Sequence, residues 1–341
     1  MRVSAPSPLP VLDISGFRSD PDGPAGAAFV EALRDALHGI GAIYLAGHGV
    51  PDDLIARVRR VAEEFFALPE AERLAIENVN SPQFRGYTRL GTEHTNGRRD
   101  LRDQVDVGRE QPAPEIGPDE PAWLRLRGPN LWPEGLPEFR AAVSEYNAAV
   151  EEAGHALMRA VALALGQAAD HFDAMVAPPE VLTKIIRYPA PSEDLSGDQG
   201  VGAHTDAGFL TLLQQQDGVG GFEAEVDGRW VAVPALPGSF VVNIGELLQL
   251  VSSGYFRATP HRVVSPPKGV QRISIAYFFN PSFEATVAPV TLPPALAAEA
   301  PGGESANPDN PILANYGLNT LKVRLRAHPD VAERHHADLF T

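Results

Sequence analysis

The stretch Val201-Gly202-Ala203-His204-Thr205-Asp206 decides how this chain is read. His204 and Asp206 are two residues apart, so on a strand both side chains point to one face. A histidine and a carboxylate converging there supply two thirds of a 2-His-1-carboxylate face, a ligand set that suits divalent iron with open coordination positions. The third ligand is expected to be a histidine far along the chain, carried close by a sheet. His261, in Ala258-Thr259-Pro260-His261-Arg262-Val263-Val264, is the candidate. Farther on, Arg272 and Ser274 share one face of another strand-like run. The planar fork of Arg272 suits a carboxylate through two parallel charged hydrogen bonds, with the Ser274 hydroxyl beside it. Its apolar neighbours Ile273, Ile275, Ala276 and Tyr277 place Arg272 in a buried strand, where a guanidinium needs an anion. A lone His-x-Asp is common on protein surfaces. Four such elements in this order, each inside a strand-like run, argue for a built site.

Composition bounds the alternatives. With 341 residues, 44% of them hydrophobic, the chain can bury a large core. It carries 28 Lys and Arg against 44 Asp and Glu, a net charge of −16, which disfavours nucleic acid or an anionic membrane as partner. There is no cysteine, which removes disulfides, thiolate nucleophiles and cysteine-ligated metals from consideration. No run has the length of a signal-peptide core or a membrane span, so a cytoplasmic protein is expected.

The order of elements gives the fold class. Leu9 to Ile14 and Gly41 to Val50 read as strands. The apolar face Phe29, Val30, Leu33 and Leu37 predicts a helix over 27–38, and Pro51-Asp52-Asp53 opens another that breaks near Pro69. A long helix is expected from Glu138 to about Gly166, buried through Ala141, Val143, Tyr146, Val150, Leu157, Val161 and Leu165. From Val181 onward short strands alternate with glycine turns, and Asp227-Gly228 marks a hairpin. Asn315 to His336 reads as helical with a Leu318/Leu321/Leu325 stripe. The pattern predicts a mainly β protein with an α/β N-terminal part, its core a double-stranded β-helix (jelly roll) backed by helices. The expected divisions are an N-terminal region over 1–115, a linker and support helix over 116–180, the jelly-roll core over 181–290 and a C-terminal loop and helix over 291–341, all one catalytic unit.

The glycine-broken stretch from Phe84 to Val107 is the expected wall of a substrate pocket. Arg85, Tyr87, Arg98 and Arg99 make it locally basic in an acidic chain, which points to a small carboxylate-bearing substrate. His94 lies in the same segment. Phe209, Phe279 and Asn280 flank the core strands and are expected to complete the pocket. The competing reading has these arginines pairing with Asp100, Asp103 and Asp106 at the surface.

His204-Thr205-Asp206, His261 and Arg272-Ile273-Ser274 together resemble the isopenicillin N synthase-like branch of the iron(II)/2-oxoglutarate-dependent oxygenases. Leu9 to Ile14, Gly47-His48-Gly49-Val50, Gly221-Phe222, Asp227 to Val231 and Val242-Asn243-Ile244-Gly245-Glu246 resemble further segments of that family, so the likeness covers most of the chain. It implies a jelly roll in which His204, Asp206 and His261 bind Fe(II). It also implies that Arg272 and Ser274, assisted by Tyr188, bind the far carboxylate of 2-oxoglutarate, with O2 as the other co-substrate. The tyrosine stands in Ile186-Arg187-Tyr188-Pro189, where plant members usually have Asn-Tyr-Tyr-Pro; isopenicillin N synthase itself uses the same Arg-Ser-Tyr group for its substrate's carboxylate and takes no 2-oxoglutarate. The implied activity is oxidation of a small molecule, most simply hydroxylation. The alternatives are a 2-oxoglutarate-independent oxidase, an ethylene-forming type of enzyme, or a non-catalytic cupin-like metal-binding protein.

Overall fold

The computed structural model describes residues 7–95, 97–190, 199–302 and 311–340. Its strands are β1 (Val11–Asp13), β2 (Ala42–Ala46), β3 (Gly86–Thr88), β4 (His94–Thr95), β5 (Arg98–Arg99), β6 (Asp103–Gly108), β7 (Glu180–Tyr188), β8 (Gln199–His204), β9 (Leu210–Gln214), β10 (Phe222–Val226), β11 (Arg229–Ala232), β12 (Ser239–Ile244), β13 (His261–Val264) and β14 (Arg272–Asn280). They form an eight-stranded sheet in the order β1-β2-β12-β9-β14-β7-β6-β3, a four-stranded sheet in the order β11-β10-β13-β8, and the small hairpin β4-β5. Among these strand pairs β1 and β2 run parallel and every other pair is antiparallel. This is the expected jelly roll. The N-terminal region adds β1 and β2 to one edge of its larger sheet and β6 and β3 to the other.

Asp227 and Gly228 join β10 to β11 with φ of 50° and 70°, the left-handed pair that a two-residue hairpin requires. Between the sheets, alternate residues of each strand face inward. On β14 these are Arg272, Ser274, Ala276, Phe278 and Asn280, opposite Tyr188, Ile186, Lys184, Leu182 and Glu180 of β7. The residues between them, Ile273, Ile275, Tyr277 and Phe279, face the other way into the helical layer.

That layer is built on the long helix Pro137–Ala164, with the helices Pro24–Gly39 and Asp52–Ala67 packed against it. Pro137 stands in its first turn, where a missing N–H costs nothing. Its buried face runs Phe139, Val143, Tyr146, Val150, Leu157 and Val161 at helical spacing. Ala142 is buried in place of the expected Ala141, because the face is set by Tyr146 and Val150 farther along the helix. Gly154 lets Phe279 lie directly on the helix, since a Cβ there would come within 2.4 Å of the ring. Fully burying a side chain of this size contributes roughly 1.5–3 kcal/mol, so this layer is where the sheet gains most of its support.

The C-terminal segment is two helices, Tyr316–Ala327 and Pro329–His335, divided at His328 because Pro329 cannot continue the first. Leu318 is 45% exposed, so the expected stripe is corrected. Tyr316, Asn319 and Leu321 form the buried face, and Asn315 caps the helix by accepting from the Leu318 N–H.

Candidate active site

His204 and His261 stand directly opposite each other on the antiparallel strands β8 and β13, with ring centroids 4.4 Å apart. β8 stops at His204, so the strand parity expected to bring Asp206 alongside does not operate. Asp206 lies in the turn toward β9 instead, and two neighbours in the larger sheet aim its carboxylate. Its Oδ2 accepts from the Thr211 hydroxyl and from Asn243 Nδ2, the latter at 2.8 Å. Oδ1 is left facing the histidines, 3.7 Å from the Nε2 of each.

Each imidazole has its tautomer fixed. His204 Nδ1 lies 2.8 Å from the Gly202 carbonyl and His261 Nδ1 lies 3.0 Å from the Thr259 carbonyl. A carbonyl only accepts, so each Nδ1 carries the proton and each Nε2 presents a lone pair to the common point. Burial and the neighbouring His261 push the His204 pKa down to about 4, against the pull of Asp206, so it is neutral at physiological pH. Burial raises the Asp206 pKa, but the two histidines and the bonds from Thr211 and Asn243 outweigh it and hold the group below the ordinary aspartate value. Two imidazole nitrogens and one carboxylate oxygen, all within 4.8 Å, are a donor set that fits one divalent iron.

Arg272 lies beside them, fully buried. It donates to Ser274 Oγ and Gln215 Oε1 at 3.2 Å each, and its guanidinium stacks over the Tyr188 ring at 4.9 Å. No carboxylate among the described residues pairs with it, and its Nε has no acceptor. A buried cation without an anion is costly, and burial lowers the Arg272 pKa accordingly. A cavity of about 60 Å³ joins Arg272, Ser274 and Tyr188 to His204, Asp206 and His261. The residues therefore fit a small dicarboxylate held between the clamp and a metal.

A second cavity, of about 670 Å³, opens on the other side of His204 and Asp206. Asn280 lines it, as expected from sequence. Phe279 does not: it belongs to the opposite face of β14, and Phe278 lines the cavity in its place. Phe209 is fully buried against Phe172 in the helical layer. Tyr87 is also away from the cavity, packed on Phe65, with its hydroxyl donating to Asp103 at 2.8 Å. Arg85 does reach the wall, but its guanidinium donates to the carbonyls of Arg109, Gly128 and Leu126 and so is a brace between loops. Arg99 donates to the Leu90 carbonyl. His94 lines the cavity from an exposed position.

Arg85, Arg99 and Tyr87 are thus not a substrate clamp, and the competing surface pairing is also corrected. Asp100, Asp103 and Asp106 are buried; Asp100 pairs with Arg102 at 3.4 Å within the segment, and the other two pair with cations from elsewhere. Asp103 binds Arg187 at 2.6 Å and Arg73 at 3.3 Å, and Asp106 binds Arg324 at 2.9 Å and Lys184 at 3.5 Å. The cavity's charges are ones that sequence reading missed. Lys184 and Arg102 share Glu93, at 3.2 and 2.9 Å, and Glu180 lies farther along β7. Parity could have found Lys184 and Glu180, since both alternate with Tyr188.

The β4-β5 hairpin is tied to β8 by Asp100. Its Oδ1 accepts from the Gly202 N–H at 3.2 Å and from Gln199 Nε2 at 2.9 Å, and its Oδ2 accepts from the Thr95 hydroxyl at 2.8 Å. Gly202 has no room for a side chain, because a Cβ would meet Thr95 at 2.8 Å. One glycine residue therefore connects the hairpin to the carbonyl that orients His204.

Comparison with known proteins agrees with this geometry. Residues 9–135 match the model of the non-haem dioxygenase N-terminal region named for morphine synthesis, and residues 181–281 match the 2OG-Fe(II) oxygenase superfamily. The chain is 34% identical to the 2-oxoglutarate-dependent dioxygenase frbJ of Dothideomycetidae sp. (strain 11243), over 96% of this chain and 91% of that one. It is 35% identical to a homoarginine-6-hydroxylase of Arabidopsis thaliana, over 83% of this chain and 80% of that one. Among solved structures, a full-length Neurospora crassa protein in complex with alpha-KG and thymine superposes with a TM-score of 0.73 at 26% identity, covering 92% of this chain and 96% of that one. A putative 2OG-Fe(II) oxygenase family protein from Caulobacter crescentus gives 0.73 at 25% identity, covering 94% and 99%. With two family models matched over most of its length and a relative 34% identical across nearly the whole chain, the chain belongs to the 2-oxoglutarate/Fe(II) oxygenases and is a dioxygenase of that superfamily.

Proposed function

We propose that His204, Asp206 and His261 hold Fe(II), that Arg272, Ser274 and Tyr188 hold the far carboxylate of 2-oxoglutarate, and that a small organic substrate is oxidised, most simply hydroxylated, in the 670 Å³ cavity. The observation that carries this reading is Arg272: a fully buried guanidinium with no carboxylate partner among the described residues, facing the same small cavity as the three ligands. Iron with bound 2-oxoglutarate supplies O2 activation coupled to decarboxylation to succinate.

The chain's own residues do the positioning. Gly202 and Thr259 fix the histidine tautomers, while Thr211 and Asn243 hold one oxygen of Asp206 so that the other is free to ligate. Tyr188 lies over the Arg272 guanidinium and shields it from water, which keeps its charge effective toward a carboxylate. Phe278 and Val201 line both cavities and put apolar surface between clamp and substrate.

Resemblance to the isopenicillin N synthase-like branch supports the same assignment, and the names of the relatives favour 2-oxoglutarate use over a 2-oxoglutarate-independent oxidase. For a carboxylate-bearing substrate the cations in reach are Arg102 and Lys184 at the junction of the two cavities, in place of Arg85 and Tyr87. The whole chain is proposed to act as one catalytic unit, its N-terminal strands completing the sheet that carries the clamp. No helix among the described residues is long and apolar enough to cross a membrane. The acidic, cysteine-free composition fits a cytoplasmic enzyme acting on small molecules.

The test is anaerobic titration with Fe(II) or Mn(II) and then 2-oxoglutarate, followed by succinate release in air. One metal per chain, lost in Asp206→Ala, and succinate formation that requires 2-oxoglutarate are expected. Substrate oxidation without 2-oxoglutarate would overturn the co-substrate assignment.

A further inference from the structure

We infer that the larger cavity takes an organic cation, a protonated amine or a guanidinium, with Glu180 as its anchor and the stacked rings of Phe283 and Tyr316 as its wall. The inference rests on the functional reading above and adds the charge of the substrate at its end remote from the metal.

Glu180 begins β7, opposite Asn280 of β14, on the same inward face as Lys184 and Tyr188. Its separation from Lys184 along the strand is on the order of 13 Å. Lys184 lies at the junction with the co-substrate cavity, so Glu180 marks the far end of the same track. It is only 5% exposed, yet no hydrogen bond reaches its carboxylate among the described residues. The nearest cation is Arg127, whose Nε is 3.7 Å away; its Nη2 already binds Glu284, and its guanidinium lies over Trp123 and Phe283. Burial pushes the Glu180 carboxyl up to about 7 despite the pull of Arg127, Arg85 and Arg109.

An acid in that position is the converse of Arg272. Both are buried groups without a hydrogen-bonded counter-ion among the described residues, and both line a cavity. Phe283 and Tyr316 stack at 5.9 Å with 16° between their planes, and both line the cavity with Glu180. Aromatic faces beside a carboxylate attract an organic cation through ring electrostatics as well as charge. A hydrated inorganic ion gains little from such a wall. Of the other negative groups on the lining, Glu93 is shared by Arg102 and Lys184, Glu246 accepts from the Thr205 hydroxyl, Asp206 faces the two histidines, and Glu225 stands opposite Trp230 in the smaller sheet.

The experiment uses the full chain loaded with Mn(II), with and without 2-oxoglutarate, and calorimetric binding of probe pairs that differ only in charge: tyramine against tyrosol, and hexylamine against hexanol. The wild type is expected to bind the cation of each pair at least about tenfold more tightly than its neutral partner, the effect of one charge-assisted contact. Glu180→Gln should remove that preference while leaving neutral-probe and 2-oxoglutarate affinity essentially unchanged, which also reports an intact fold. Equal binding of cation and neutral partner by the wild type, no binding of either cation, or an unchanged preference in Glu180→Gln would each overturn the inference. Failure of 2-oxoglutarate to bind would count against the functional reading instead, because the charge preference is read separately in its absence.

Discussion

Replacing Arg272 by Met separates two roles that a buried arginine can have. If Arg272 is a structural residue, removing it breaks a native interaction and lowers stability. If it is an anion receptor, the protein without ligand carries an unmatched buried charge, and a methionine of similar length should leave stability unchanged or raise it. The ligand-bound state should show the opposite. Losing a buried charge-assisted clamp costs about 3 kcal/mol, or roughly 100-fold in 2-oxoglutarate affinity. At a concentration about 100 times the wild-type Kd, ligand stabilises the wild type by about 2.7 kcal/mol and such a variant by only about 0.4 kcal/mol. For 341 residues, each kcal/mol moves Tm by about 1.4 °C. Thermal unfolding of the Mn(II)-loaded protein should therefore show a 2-oxoglutarate shift of about 4 °C in the wild type and under about 1 °C in Arg272→Met. A variant that melts several degrees lower without ligand, yet keeps the full shift with it, would refute the receptor argument.

Other outcomes follow from the same geometry. Tyr87→Phe should cost about 1 kcal/mol of stability through its lost bond to Asp103, with the ratio of succinate to oxidised product unchanged, because Tyr87 is outside the cavity. Asp100→Ala should weaken metal retention by roughly 10-fold or more in a chelator competition, because it releases Gly202 behind His204. Glu180 supplies a pH signature. Its folded pKa, about 7, lies above the ordinary 4.5, so the folded chain keeps a proton that the unfolded chain loses, and wild-type stability falls as pH rises through that window. Glu180→Gln does not titrate, so its stability relative to wild type should climb by up to about 3 kcal/mol between roughly pH 4.5 and 8, measured by denaturant unfolding; a pH-independent difference would place the carboxylate in an ion pair.

The histidines and the Arg-x-Ser pair are legible because each sits within a strand whose alternation survives in the structure. Asp206 joins them for a reason other than strand parity: no strand continues past His204, and Thr211 and Asn243, distant from one another in sequence, aim the carboxylate. Phe279 is excluded from the cavity by the same parity that selects Arg272 and Ser274. Arg85 and Tyr87 mislead because local charge does not reveal that a side chain is spent on backbone carbonyls or on a buried aspartate. Lys184 and Glu180 are hidden by the apolar run of β7, which reads as a buried strand and draws attention from its two charged inward positions.

The Asp100 tie divides the roof of the cavity into two kinds of sequence. The β4-β5 hairpin contributes its lining by reach alone, through His94 and Thr95. Its root at Asp100 is joined through Gly202 to the imidazole of His204. A change of substrate range by loop exchange is therefore expected to succeed when the graft ends before Asp100 and to forfeit iron when it runs through it. The boundary between replaceable and fixed sequence lies at a single carboxylate.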